Sequence, residues 1–280
     1  MSWNLTIFDG AEAYEWISDG WRMVAVSAYG PRIAYLGKEQ GDNLLYWDTA
    51  PGAERGEWKL RGGHRVWLTR PQADESEDTY VSDNAPCAVQ RDGNILTLTA
   101  PPHPTHHLER GMRITALGGG RFIVANFIKN AGSMIYSGGV WSPTCIDPRG
   151  KVLRIPLGTE ASWDVVHLVI PRVFAGNHTQ LEDPQVTFEK NDLVARSQGH
   201  VMKRCAFSPR GIVQMEWPDR GITLRKKVDC VPFASYPLGC NVGIFIGEDN
   251  WMGEIETFGQ EQPILPGETI YNTEEWSIIT

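Results

Sequence analysis

The chain has 280 residues, a formal charge of −8 and a pI near 5.4, without the basic stripe of a nucleic-acid binder. No run of about 18 apolar residues is present, so no membrane-spanning helix is expected. With 41% hydrophobic and 21% charged residues there is ample material for a core, and an all-β domain can run to this length as one unit, here 1–280. Turn signals then punctuate the chain at short intervals. Trp21 to Ser27 alternates in two and ends at Tyr29-Gly30-Pro31-Arg32, before Ile33-Ala34-Tyr35-Leu36 and Asn43 to Trp47. Cys87 to Gln90 and Ile95 to Thr99 flank an Asp-Gly turn, the clearest hairpin. Met112 to Ala116 and Phe122 to Ile128 flank three glycines, and Asp-Pro-Arg-Gly, Ser-Pro-Arg-Gly and Pro-Asp-Arg-Gly turns follow at 147, 208 and 218. Short strands so spaced predict a sandwich or barrel rather than βαβ units. Helical tendency is confined to Gly10–Ser18 and to the acidic stretch Gln72–Tyr80, the latter read as a solvated loop.

Five cysteines (Cys87, Cys145, Cys205, Cys230, Cys240) form no C-x-x-C pair. The first residues show no basic region followed by an apolar stretch, which predicts a cytoplasmic protein with reduced thiols. The sequon at Asn177 carries no weight in that compartment.

Chemistry-bearing residues gather in four stretches. Near the C-terminus, Trp251-Met252-Gly253-Glu254-Ile255-Glu256-Thr257-Phe258-Gly259 reads as a strand with Glu254 and Glu256 on one face, beside a glycine that leaves room for a ligand. Two such carboxylates repel, which raises one pKa and prepares a general acid or base; the bland alternative is a strand whose glutamates face water. Arg61-Gly62-Gly63-His64-Arg65-Val66-Trp67 combines a double glycine with a histidine, a cation and an indole, and reads as a ligand site or as a bulge and edge strand. His103, His106 and His107 lie among prolines that spread them apart, so one histidine touching a ligand is expected rather than a metal site. Gly138-Gly139 before Val140-Trp141 reads as a sugar subsite or as a bulge over a core tryptophan. Phosphate loops, dinucleotide fingerprints and nucleophile elbows are missing, and no cofactor is expected.

Taken together, these stretches resemble the galactose mutarotase-like superfamily of aldose 1-epimerases and hexose-6-phosphate 1-epimerases, nearest to a bacterial branch. Gly30-Pro31-Arg32-Ile33 is similar to the glycine-rich turn opening the first sheet, and Leu60 to Trp67 to the R-G-G stretch of the phosphohexose epimerases. Gly253 to Thr257, followed by Leu265-Pro266-Gly267-Glu268 and a last strand over Tyr271–Ile278, is similar to the strand carrying their catalytic glutamate. The resemblance implies an all-β supersandwich of two large antiparallel sheets with a concave ligand cleft. It implies Glu256 as the base that takes the anomeric proton, with Glu254 as second choice in register, and His64 in the substrate-binding region. The acid histidine of such epimerases falls nearest to Trp141 here, so the acid would have to come from His64, His106 or His107.

The expected function is a cofactor-free sugar epimerase: Glu256 the base, His64 or His106/His107 the acid, and Arg61, Arg65, Trp67 and Trp141 gripping a small carbohydrate. The alternatives are lyase or isomerase chemistry on an unusual sugar, or a sugar-binding or sugar-sensing module without catalysis, which the tryptophan at the acid position favours.

Overall fold

A computed structural model describes residues 2–53, 57–70, 80–81, 83–158, 168–171, 173–174, 177–178 and 182–280. Of the acidic stretch Gln72–Tyr80, residues 72–79 lie outside them. Among the described residues two large antiparallel sheets dominate, one of eleven strands and one of ten. The eleven-stranded sheet runs Asn4–Phe8, Ala11–Ser18, Trp21–Val26, Arg32–Lys38, His64–Arg65, Val140–Ile146, Gly253–Phe258, Val242–Ile246, Met202–Phe207 and Leu168–Pro171, with Trp67–Leu68 also pairing Val140–Ile146. The ten-stranded sheet includes the expected hairpins, as Ala88–Asp92 with Ile95–Thr99 and Leu108–Gly118 with Arg121–Asn130, and the last strand, Thr269–Ile279. No helix of the described residues is long and apolar enough to cross a membrane.

Helix is not formed over Gly10–Ser18. Asp9-Gly10 and Asp19-Gly20 take left-handed backbone on both sides, as tight hairpin turns require. Between them Ala11 and Ala13 pack on one face while Tyr14 and Trp16 pack on the other, which the two-residue period of a strand permits.

Alternation also explains the two faces of the eleven-stranded sheet. Ile33, Val66, Ile146, Val242, Ile244 and Ile255 point inward and build the main core with the other sheet. Trp67, Trp141, Cys145, Cys205, Phe245 and Phe258 point outward into a separate cluster. Asn4–Phe8 ends this sheet on one side and leaves Leu5 60% and Ile7 67% exposed.

All five cysteines are free, with Cys145, Cys205 and Cys240 buried. Burial pushes the Cys145 and Cys87 thiols up to about 12, which removes the reactive thiolate. Titration of the denatured protein should find five thiols and of the native protein fewer within the same minutes. A native titre equal to the denatured one would mean that the three interior thiols are accessible.

Candidate functional site

The outward cluster forms a floor across five neighbouring strands. As the alternation predicts, Glu254 and Glu256 share one face of Gly253–Phe258, opposite Cys145 and Pro143 of Val140–Ile146. Glu256 is 0% exposed and Glu254 6%. Rather than standing as a repelling pair, each has its own cation. Arg65 Nη2 lies 2.7 Å from Glu254 Oε1, and Lys203 Nζ lies 3.1 Å from Glu256 Oε1. Burial disfavours the Arg65 ion, but Cys145, Glu254 and Asp83 overcome that and hold its pKa above the usual arginine value.

An aromatic wall borders the floor. Tyr80 meets Trp58 and Trp67 edge-on, Trp67 meets Trp141 at 5.1 Å, and Trp141 stacks on Phe258 at 6.1 Å. Lys203 Nζ stands 4.8 Å from the centre of the Trp141 ring. The indole N–H groups of Trp58 and Trp67 both donate to Asp83, which also pairs with Arg32 and, at 4.0 Å, with Arg110. The Trp141 indole N–H is buried without a hydrogen-bond partner among the described residues.

Several residues singled out in the sequence lie elsewhere. His64 is on the inner face, the reverse of the sheet from Glu256: its ring meets Thr144 at 2.9 Å and Asn126 at 3.0 Å, and packs edge-on against Trp276. One step along a strand separates it from the outward Arg65, and the pairing Ile33–His64 fixes that step inward. His64 therefore does not join Glu256 as its acid. Arg61 lies against Tyr29, its guanidinium 3.8 Å from the ring centre, away from the carboxylates. His106 stacks on His103 at 4.7 Å and meets Tyr136, while His107 holds a left-handed turn of that loop. Among the described residues no three His, Cys, Asp or Glu side chains converge as a metal cluster.

The glycines serve packing instead of opening ligand space. A Cβ on Gly62 would meet Tyr46 O at 2.4 Å, on Gly63 Ile33 O at 2.4 Å, and on Gly138 Thr69 O at 2.1 Å. Gly253 is likewise closed, by Phe245 O and Ile146. The glycine that matters to the site is Gly243, cross-strand from Glu256, where a Cβ would stand 2.6 Å from Glu256 Oε2. Neither Gly243 nor Lys203 was singled out in the sequence. Lys203 sits in the strand Met202–Phe207, whose role shows only when that strand is paired with Val242–Ile246. Gly243→Ala is compatible with the strand backbone and should keep the fold while displacing the Glu256 carboxylate. We expect a folded protein with any sugar conversion reduced by about tenfold or more, as misplacement of a reacting group requires; an unimpaired variant would detach Gly243 from the site.

No protein-family model and no curated protein matches the chain. Solved structures do. A candidate aldose 1-epimerase from Escherichia coli K12 superposes with a TM-score of 0.68 at 12% identity, covering 99% of each chain. A galactose mutarotase-like protein from Lactobacillus casei ATCC 334 gives 0.65 at 10% identity, over 95% of this chain and 100% of that one. A galactose mutarotase related enzyme from Lactobacillus acidophilus gives 0.63 at 11%, over 96% and 97%. The chain has the galactose mutarotase-like fold. Within the galactose mutarotase-like fold of this chain, the outer face of the eleven-stranded sheet buries Glu254 with Arg65 and Glu256 with Lys203.

Proposed function

We propose that the protein is a cofactor-free epimerase of a small aldose, of the aldose 1-epimerase type, with Glu256 as general base. The observation that carries this reading is the Glu256–Lys203 pair, an acceptor and a donor 3.1 Å apart, both buried, seated over Gly243 beside Trp141. In the reaction Glu256 takes the proton of the anomeric hydroxyl as the bond from C1 to the ring oxygen breaks. That electron pair passes to the ring oxygen, which takes a proton from Lys203. Rotation about C1–C2 and the reverse transfers close the other anomer. Each transfer contributes about 10²–10⁴-fold. Trp141 and Trp67 wall the floor beside this pair, and Arg65 holds Glu254 next to it.

Lys203 replaces the histidine that the resemblance implies, because His64 faces inward. The same substitution supports a second reading, a sugar binder without turnover. Exchange spectroscopy of the anomeric protons, together with ligand-induced thermal shifts across free and phosphorylated aldoses, separates the two. Accelerated anomer exchange that Lys203→Met abolishes is the expected result. Thermal shifts without any acceleration would leave the binder, and neither effect with any aldose would sink both.

A further inference from the structure

Behind the floor, between the sheets, lies a set of buried polar groups that the reaction above does not use. Lys226 is 0% exposed, and its Nζ donates to Ser142 O at 2.9 Å, Thr144 Oγ1 at 2.8 Å and Glu274 Oε1 at 2.8 Å, with Ile255 O at 3.4 Å. Glu274, also 0% exposed, accepts from Trp276 Nε1 at 2.8 Å and from the Thr257 hydroxyl, and lies 3.5 Å from His64 Nε2. Asn272 joins Thr257 to Ser142. Burial alone would raise the Glu274 carboxyl, but Lys226 and His64 hold it below the usual carboxylate range.

Such a pair is poor value for stability. Replacing a buried ion pair by apolar side chains is often neutral or stabilising by about 1–4 kcal/mol. Its place suggests what it does instead. Ile255 directly precedes Glu256, and Ser142 directly precedes Pro143, the cross-strand partner of Glu256. One ammonium therefore bonds a carbonyl of each strand, behind the point where the carboxylate stands on the opposite side.

We propose that Lys226 is a positioning residue for Glu256, clamping the two site strands from the inter-sheet side and placing a positive charge behind the carboxylate. Titratable groups face it from each side: Glu274 and the neutral His64 ring across the interior, Glu254 and Glu256 through the sheet, with Lys203 beyond Glu256. The inference rests on the reading of Glu256 as the base, but it can be read without any sugar.

The test uses the full chain with ¹³C-labelled glutamate, the Glu256 carboxyl signal being assigned by its loss in Glu256→Gln. In the double variant Lys226→Met/Glu274→Gln, Gln keeps bonds to Trp276 and Thr257 and no unpaired charge is left. We expect a thermal midpoint within a few degrees of the natural protein and a Glu256 titration midpoint raised by about half a unit or more. Turnover should fall about tenfold with KM changed less than about twofold. Glu274→Gln alone keeps the ammonium and should move the Glu256 midpoint the other way, downward; it also serves as the deciding arm should the double variant fail to fold. A purely structural role moves the thermal midpoint and leaves the titration of Glu256 unmoved, and that result would overturn the inference. Absence of sugar conversion in the natural protein would defeat the proposed function alone, since the opposed titration shifts are measured independently of it.

Discussion

Glu256→Gln is expected to lower aldose anomerisation by at least about 10²-fold while sugar affinity changes far less, because the amide keeps the shape of the carboxylate and cannot take a proton. The same change should cost stability. Two repelling glutamates would have made neutralisation harmless, but Glu256 is buried and bonded to Lys203 instead. Removing one member of a buried ion pair typically costs about 3–5 kcal/mol. The loss should show as a clear drop in thermal midpoint, and Glu256→Gln/Lys203→Met should recover most of it without recovering turnover. Glu254→Gln, which leaves Arg65 with Cys145 and Trp67 as neighbours, tests register. If Glu254→Gln abolishes turnover and Glu256→Gln spares it, the base is the wrong carboxylate.

Acid should destabilise the protein through His64. Burial pushes its pKa from 6.5 down to about 4, the neighbouring Glu274 opposing only part of that. The unfolded chain therefore binds a proton below about pH 6.5 that the native state refuses until about pH 4. Stability associated with the neutral ring is full above the unfolded value and falls across that window. The loss reaches about 3 kcal/mol when converted at 1.36 kcal/mol per pH unit. Glu274, held below its ordinary value, adds a loss in the same direction at lower pH as its carboxylate is protonated. Urea midpoints measured from pH 7 to pH 4 should decline steeply, and His64→Asn should flatten the upper part of the decline. An equal slope in that variant would mean that His64 is protonated or solvated in the native state.

Much of the architecture was legible because glycine and aspartate turns punctuate it. The hairpins at 91–94 and 118–120 and the shared face of Glu254 and Glu256 follow from turn chemistry and a two-residue period. Where both faces of a strand are buried the period carries less information. Ala11–Ser18 packs alanines on one side and Trp16 on the other, and its mixture of Glu, Ala and Tyr resembles a helix until the flanking turns are considered. Of the candidate site, alternation made legible that Glu254 and Glu256 share a face of their strand, and that Arg65 and Trp67 share one of theirs. Its cations depend on strand order: Lys203 and Gly243 reach Glu256 because Met202–Phe207, Val242–Ile246 and Gly253–Phe258 are neighbours. His64 shows the opposite failure. A histidine beside a double glycine suggests chemistry, yet the glycines are there to let the backbones at Ile33 and Tyr46 approach.

The outermost strand, Asn4–Phe8, leaves one row of backbone donors and acceptors without a neighbouring strand among the described residues. Natural sheets blunt such edges with lysine, proline or a bulge. This one presents Leu5 and Ile7 on a single side, both more than half exposed. Concentrated solutions should therefore self-associate along this border, edge to edge, with larger species growing in as concentration rises. Leu5→Lys/Ile7→Lys would remove the tendency without touching the Glu254–Glu256 floor, giving a form better suited to spectroscopy at millimolar concentration.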